Sequence, residues 1–333
     1  MEFEMRDLLQ RKKIFDLRRI HIHAESLKNN FLKDSVEREV IILERKVNAS
    51  TPVLIGLPAY FGNHEGFLHT SYTHHSFIKT LELIIEDNPD ISFIMVIPDT
   101  MTSYFGNQYL NSPAVGNYED FISKDIIKFV SKRYGRRRIG LFGKSSGGFG
   151  AYNILVNNHE NFDGFIDVSG DSGFEYCYMK DIPEAIKQVK SYGLKGFISR
   201  FKNAPNPSRS ELSAMNMIAM SAFYSPEIST DLRFELPFDT IDFNFSQRVW
   251  EKWIEHDPLR TIENNLANLK GKTIIFQVGK YDEFSMNIGM SGLSKILKRN
   301  KISHEFIEYD AGHLGTDYFY RDSIPKLLKG LND

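Results

Sequence analysis

The sequence predicts an α/β protein built on a mostly parallel, doubly wound sheet, with antiparallel strands at its start and one mostly helical insertion. Three observations predict it. Six short, mostly apolar runs recur along the chain. Helix-compatible segments alternate with them. One long interval, 172–255, interrupts that alternation. At 333 residues, 41% of them apolar, the chain suffices for one domain over 1–333 with a sizeable core and a cap inserted at 172–255.

Residues 17–25 (LRRIHIHAE) and 36–43 (VEREVIIL) alternate partly between apolar and polar, as antiparallel strands do; KNNFLKD connects them. His21 and His23 share one strand face, which is too few ligands for a metal. The apolar runs follow at 52–58, 92–98, 138–143, 162–170, 272–279 and 304–310. Most read as strands buried on both faces, which parallel sheets require. Helices are expected at 74–87, 118–133, 147–158, 286–300 and 317–329. From Ser172 to Glu255 there is no core strand, yet the segment holds both tryptophans and four of the ten methionines. It is too long for an ordinary connection. A helical cap over one end of the sheet is the reading.

Charge and composition exclude several classes. The net charge of −2 gives no general attraction to nucleic acid or membrane. Arg136-Arg137-Arg138 reads as a solvated strand start. The single cysteine, Cys177, permits no disulfide within the chain. The N-terminus (MEFEMRDLLQRKKIF) lacks the apolar run of a secretory leader, and no stretch approaches a membrane span. A cytoplasmic location is the expectation; an oligomer is left open.

The strand RIGLFG runs into GKSSGGFGAY, which places Gly143-Lys144-Ser145-Ser146-Gly147 between a strand and a helix. That is the setting of a nucleophile elbow. A sharp turn there lifts the Ser145 hydroxyl above the sheet, and the backbone N–H of Ser146 faces any oxyanion formed on an acyl group. The stretch is not a Walker loop. A serine nucleophile needs a base and an acid to orient it, in the order Ser, acid, His in the α/β-hydrolase fold. Asp282, with Glu283 beside it, follows the strand TIIFQVG; His313 follows HEFIEYD. All three fall at C-terminal strand ends. The second oxyanion donor is expected in LPAYFGNHEGF, with the N–H of Tyr60 as first choice and Phe61 as alternative. His64, His69, His74 and His75 have no zinc-site spacing, so neither a metal nor a cofactor is expected.

Four blocks resemble the esterase family of α/β-hydrolases that includes esterase D (S-formylglutathione hydrolase), the antigen 85 mycolyltransferases, feruloyl esterases and enterochelin esterases. They are GKSSGGFGAY, the segment from VIPDTMTSYFGNQYLNS to GNYEDFISKDIIKFV, VGKYDEF and YDAGHLGT. The resemblance covers roughly 20–171 and 256–330. Lys144 and Pro58-Ala59-Tyr60 depart from its usual residues. It implies hydrolysis of a small-molecule carboxylic ester or thioester through an acyl-enzyme on Ser145. An acyltransferase of the same fold and a catalytically silent binding protein are the alternatives. A prolyl-oligopeptidase-type peptidase would carry a propeller for which the chain has no room. Within the insertion, Met217 and Phe223 are candidates to line an apolar acyl pocket.

Overall fold

The computed structural model describes residues 14–332; the N-terminal stretch through Lys13 and Asp333 lie outside the described residues. Eight strands form the main sheet: β1 (Asp16–His23), β2 (Glu37–Arg45), β3 (Val53–Leu57), β4 (Phe93–Pro98), β7 (Ile139–Lys144), β8 (Gly164–Val168), β9 (Thr273–Gly279) and β10 (Glu305–Tyr309). Two further two-residue strands, β5 (Asn111–Ser112) and β6 (Gly116–Asn117), pair in a small ribbon that the sequence reading did not anticipate. The sheet order is β1-β2-β4-β3-β7-β8-β9-β10. β2 pairs antiparallel with both β1 and β4, and every later pairing is parallel. This is the expected α/β-hydrolase architecture.

The strands bury both faces because neighbouring side chains point to opposite sides. On β3, Leu54 joins one core cluster, while Val53, Ile55 and Leu57 join the other. On β7, Phe142 faces the first side and Leu141 the second. Helices α1 (Phe77–Asp87), α2 (Ile127–Tyr134) and α3 (Ser146–Asn157) lie along this part of the chain, the second extending a helical stretch that begins at Tyr118. In α1, Phe77, Ile78, Leu81, Ile84 and Ile85 make one apolar stripe, and Ser76 caps its first turn by accepting from Lys79 N–H.

Between β8 and β9 the chain makes α4 (Ile182–Tyr192), α5 (Leu194–Lys202), α6 (Arg209–Tyr224) and α7 (Gln247–Ile254), with short helical turns around them. Ser208 and Glu211 form a capping box that starts α6. The buried Asp257 carboxylate accepts from Gly173 N–H (2.8 Å) and Phe174 N–H (2.9 Å), joining the two ends of this segment. After β9 and β10 come α8 (Met286–Arg299) and α9 (Tyr320–Asn332). α9 packs beside α1 on one face of the sheet; α2, α3 and α8 cover the other. Two helical turns at Pro258–Thr261 and Leu266–Leu269 were not expected from the sequence; each is only four residues, too short for a periodic apolar pattern.

Candidate active site

The turn between β7 and α3 holds Ser145 at φ +55° and ψ −124°. A non-glycine residue in such a conformation costs on the order of 1–3 kcal/mol and persists only where its surroundings enforce it. Here Ser145 N–H donates to Val168 O (2.8 Å) and Ser145 O accepts from Phe149 N–H (3.0 Å), which fixes the turn on both sides. The two flanking glycines are required by space. A Cβ on Gly143 would stand 2.3 Å from the carbonyl of Gly147, and one on Gly147 would stand 2.1 Å from Leu57 O.

That crowding makes a prediction. Gly147→Ala is expected to destabilise the protein by ~1–3 kcal/mol or more, because the obstructing atom is backbone and cannot rotate away. Gly66→Ala, where a Cβ meets nothing within 4 Å, is the control and should stay within about 0.5 kcal/mol. Urea midpoints measure both; equal midpoints would mean the elbow yields freely.

Asp282 and His313 meet at the same edge. His313 Nδ1 and Asp282 Oδ2 are 2.8 Å apart, and His313 and Asp282 are 5% and 7% exposed. An ionised carboxylate only accepts, so Nδ1 carries the proton and Nε2 keeps a lone pair able to accept one. Burial pushes the Asp282 carboxyl up, but His313 and the N–H groups of Phe284 and Met286 outweigh it and hold it below the usual carboxylate range. The loops carrying the two residues are pressed together: a Cβ on Gly279 would lie 2.4 Å from both Ala311 O and Gly312 O. Ser145 Oγ makes no hydrogen bond among the described residues. In unliganded active sites the nucleophile–base contact is commonly long and tightens with substrate.

The two amides expected to face an oxyanion are Ser146 N–H and Tyr60 N–H. Ser146 N–H is the first of α3 and has no intrahelical acceptor. Tyr60 N–H has no acceptor among the described residues, whereas Phe61 N–H donates to Phe105 O (3.0 Å). Of the two candidates in that loop, only Tyr60 keeps its amide available. Its own hydroxyl donates to Tyr104 O (2.7 Å), and burial raises that hydroxyl's pKa well above normal.

The sequence matches the family described as "Putative esterase" over residues 44–328. The chain belongs to this esterase family. Solved structures similar in fold include an S-formylglutathione hydrolase from Agrobacterium tumefaciens (12% identity, 96% of this chain and 97% of that one, TM-score 0.58). A ferulic acid esterase is similar at 15% identity over 95% and 98% of the two chains, with a TM-score of 0.56. An S-formylglutathione hydrolase from Staphylococcus aureus is similar at 10% identity over 96% and 99%, with a TM-score of 0.55. A search of curated proteins finds no significant match.

Several features of this esterase-family site were not read from its sequence. Lys144, just before Ser145, forms no ion pair within 4.0 Å among the described residues; burial pushes its ammonium down, against Asp317, Asp282 and Glu283, which push it up. Asp171, after β8, is 5% exposed; its Oδ2 accepts from Gln108 Nε2 (2.6 Å) and from the Tyr178 hydroxyl (2.7 Å). Gln108 Nε2 also reaches the Tyr224 hydroxyl (2.5 Å), so this buried network ties α6 to the sheet edge. Only tertiary packing brings these residues together, from positions 63 and 116 apart in sequence.

Met217 and Phe223 sit on α6 at 0% and 1% exposure. The structure packs them into the core and does not bring them to an accessible wall. Burial likewise pushes the Cys177 thiol well up, which makes it a poor nucleophile. Of the four histidines after β3, His64 groups with Glu39 and Glu65 in a set whose ligand-type atoms lie within 4.8 Å of one another. The Arg19 guanidinium already bridges both carboxylates there, at 2.6 Å from Glu39 and 2.7 Å from Glu65. No helix among the described residues is long and apolar enough to cross a membrane.

Proposed function

We propose that this esterase-family protein is a cofactor-free serine hydrolase acting on a small-molecule carboxylic ester or thioester. The observation that carries the reading is the buried Asp282–His313 pair at the sheet edge where Ser145 occupies a strained elbow. Ser145 Oγ attacks the ester carbonyl carbon while His313 Nε2 takes the hydroxyl proton. The oxyanion that forms accepts from Ser146 N–H and Tyr60 N–H. Collapse breaks the acyl–oxygen bond of an ester or the acyl–sulfur bond of a thioester, and His313 returns the proton to the departing alcohol or thiol. Water then repeats the sequence on the acyl-enzyme and frees the acid. Asp282 keeps the imidazole oriented and balances the charge it gains. The segment 172–255 acts in this reading as a cap within a single domain, reaching the oxyanion loop where the Tyr60 hydroxyl lies 3.4 Å from Met215 O.

A fluorophosphonate probe tests the reading. It should label the wild-type protein once, at Ser145, and labelling should remove hydrolysis of p-nitrophenyl acetate in proportion. A panel of acyl lengths and a thioester then defines the substrate. Labelling elsewhere, or full hydrolysis by the fully labelled protein, would end the proposal.

A further inference from the structure

Three consecutive residues after β9 all hold His313. Asp282 takes its ring Nδ1–H at 2.8 Å. Glu283 Oε2 takes its main-chain N–H at 2.6 Å. The Phe284 ring stands edge-on to the imidazole, with centroids 4.8 Å apart and planes at 73°. The Glu283 carboxylate also lies flat against the preceding residue: a Cβ on Gly312 would be 2.6 Å from Oε1 and 2.8 Å from Oε2. From outside, Lys180 Nζ donates to Glu283 O (2.7 Å) and lies 5.4 Å from the centre of the Phe284 ring. Lys180 belongs to the helical segment between β8 and β9, so the docking of that segment bears on the same loop.

We propose that Glu283 is a positioning residue that fixes the main chain of His313, while its neighbour Asp282 fixes the ring. The geometry separates the roles of the two acids, since the Glu283 carboxylate reaches the backbone N–H and makes no hydrogen bond to the imidazole ring among the described residues. Ring orientation alone does not place a base. An imidazole held at Nδ1 still moves with its Cα, and displacement of about 1 Å can cost on the order of 100-fold in rate. The bond from Glu283 to the His313 N–H restrains that Cα from one side (2.6 Å), and Thr316 Oγ1 donates to His313 O from the other (3.2 Å). Glu283 is solvent-exposed, so water can satisfy the freed N–H when the carboxylate is removed, and the loss falls on geometry more than on folding.

This inference rests on His313 being the base. The test compares Glu283→Gln, Glu283→Asp and Glu283→Ala on p-nitrophenyl acetate, with active sites counted by fluorophosphonate labelling. Gln keeps the reach and an accepting oxygen but loses the charge; Asp keeps the charge but is one methylene shorter. The proposal expects Gln within about threefold of wild type in kcat. It expects Asp and Ala to fall on the order of tenfold or more, with KM changed less than about twofold. Gln as poor as Ala, with Asp near wild type, would mean that charge and not position is what Glu283 supplies, and would overturn it. So would an Ala variant within twofold of wild type. A wild type that neither labels nor hydrolyses would instead defeat the serine-hydrolase reading, which keeps the two failures distinct.

Discussion

Ser145→Ala is expected to lower ester hydrolysis by a factor on the order of 10³ or more and to abolish fluorophosphonate labelling, with the protein still folded. The change removes one oxygen that makes no hydrogen bond among the described residues, so the fold loses no hydrogen bond there. Alanine in the same strained turn leaves the two backbone bonds to Val168 and Phe149 in place. Ser146→Ala is the matched control. Its hydroxyl is buried with no hydrogen-bond partner among the described residues, and its functional group in the proposed mechanism is the backbone N–H, which alanine keeps. That variant should hold most of the wild-type rate. Steady-state rates on p-nitrophenyl acetate and the thermal midpoint of each variant decide the matter. An active Ser145→Ala beside an inactive Ser146→Ala would move the nucleophile by one residue.

The elbow was legible because it rests on local chemistry. Small residues on either side of a serine, after an apolar strand and before a helix, state a steric requirement, and the contacts of Gly143 and Gly147 show that requirement at 2.3 and 2.1 Å. The sheet was legible for a similar reason. Runs such as FIMVIP have no polar face, and the structure buries all six of those residues. The spacing of Asp282 and His313, one helix and one strand apart, told which strand ends would carry them.

What stayed hidden depends on direction and on tertiary contact. Adjacent Asp282 and Glu283 are interchangeable in a sequence, yet one carboxylate reaches the imidazole and the other the main chain. Tyr60 and Phe61 are both plausible donors until Phe105 O is seen to accept from Phe61 N–H. On α6, nearly every residue from Ala214 to Tyr224 is buried, so no apolar stripe marks which face would meet a substrate. Met217 and Phe223 were singled out for their chemistry, and chemistry suited to a pocket is equally suited to a core. The network of Gln108, Asp171, Tyr178 and Tyr224 joins three distant segments and has no sequence signature at all.

His313→Ala should be nearly as damaging as Ser145→Ala, and the double variant should be little worse than either single one. In the proposed mechanism nucleophile and base act as a unit: without Nε2 to receive its proton, the Ser145 hydroxyl is no better a nucleophile than an ordinary alcohol. Asp282→Asn should lower kcat by a factor on the order of 10²–10⁴, although it preserves shape. The amide presents either a carbonyl oxygen or an NH₂ to Nδ1. In the second case the imidazole is driven to the tautomer whose Nε2 carries the proton and cannot accept one. The amide also lacks the charge that balances the imidazolium formed during attack. Its carbonyl oxygen could still accept from Phe284 N–H, which Asp282 Oδ1 holds at 2.9 Å, so the loop should keep its course and the thermal midpoint should move less than the rate. The measurement is kcat for His313→Ala, Asp282→Asn and the Ser145→Ala/His313→Ala pair, each with a thermal melt. Rates that multiply in the double variant would show two independent groups and not a relay. An Asp282→Asn enzyme at full speed would mean that the hydrogen bond seen at 2.8 Å organises the fold and that the orienting acid lies elsewhere.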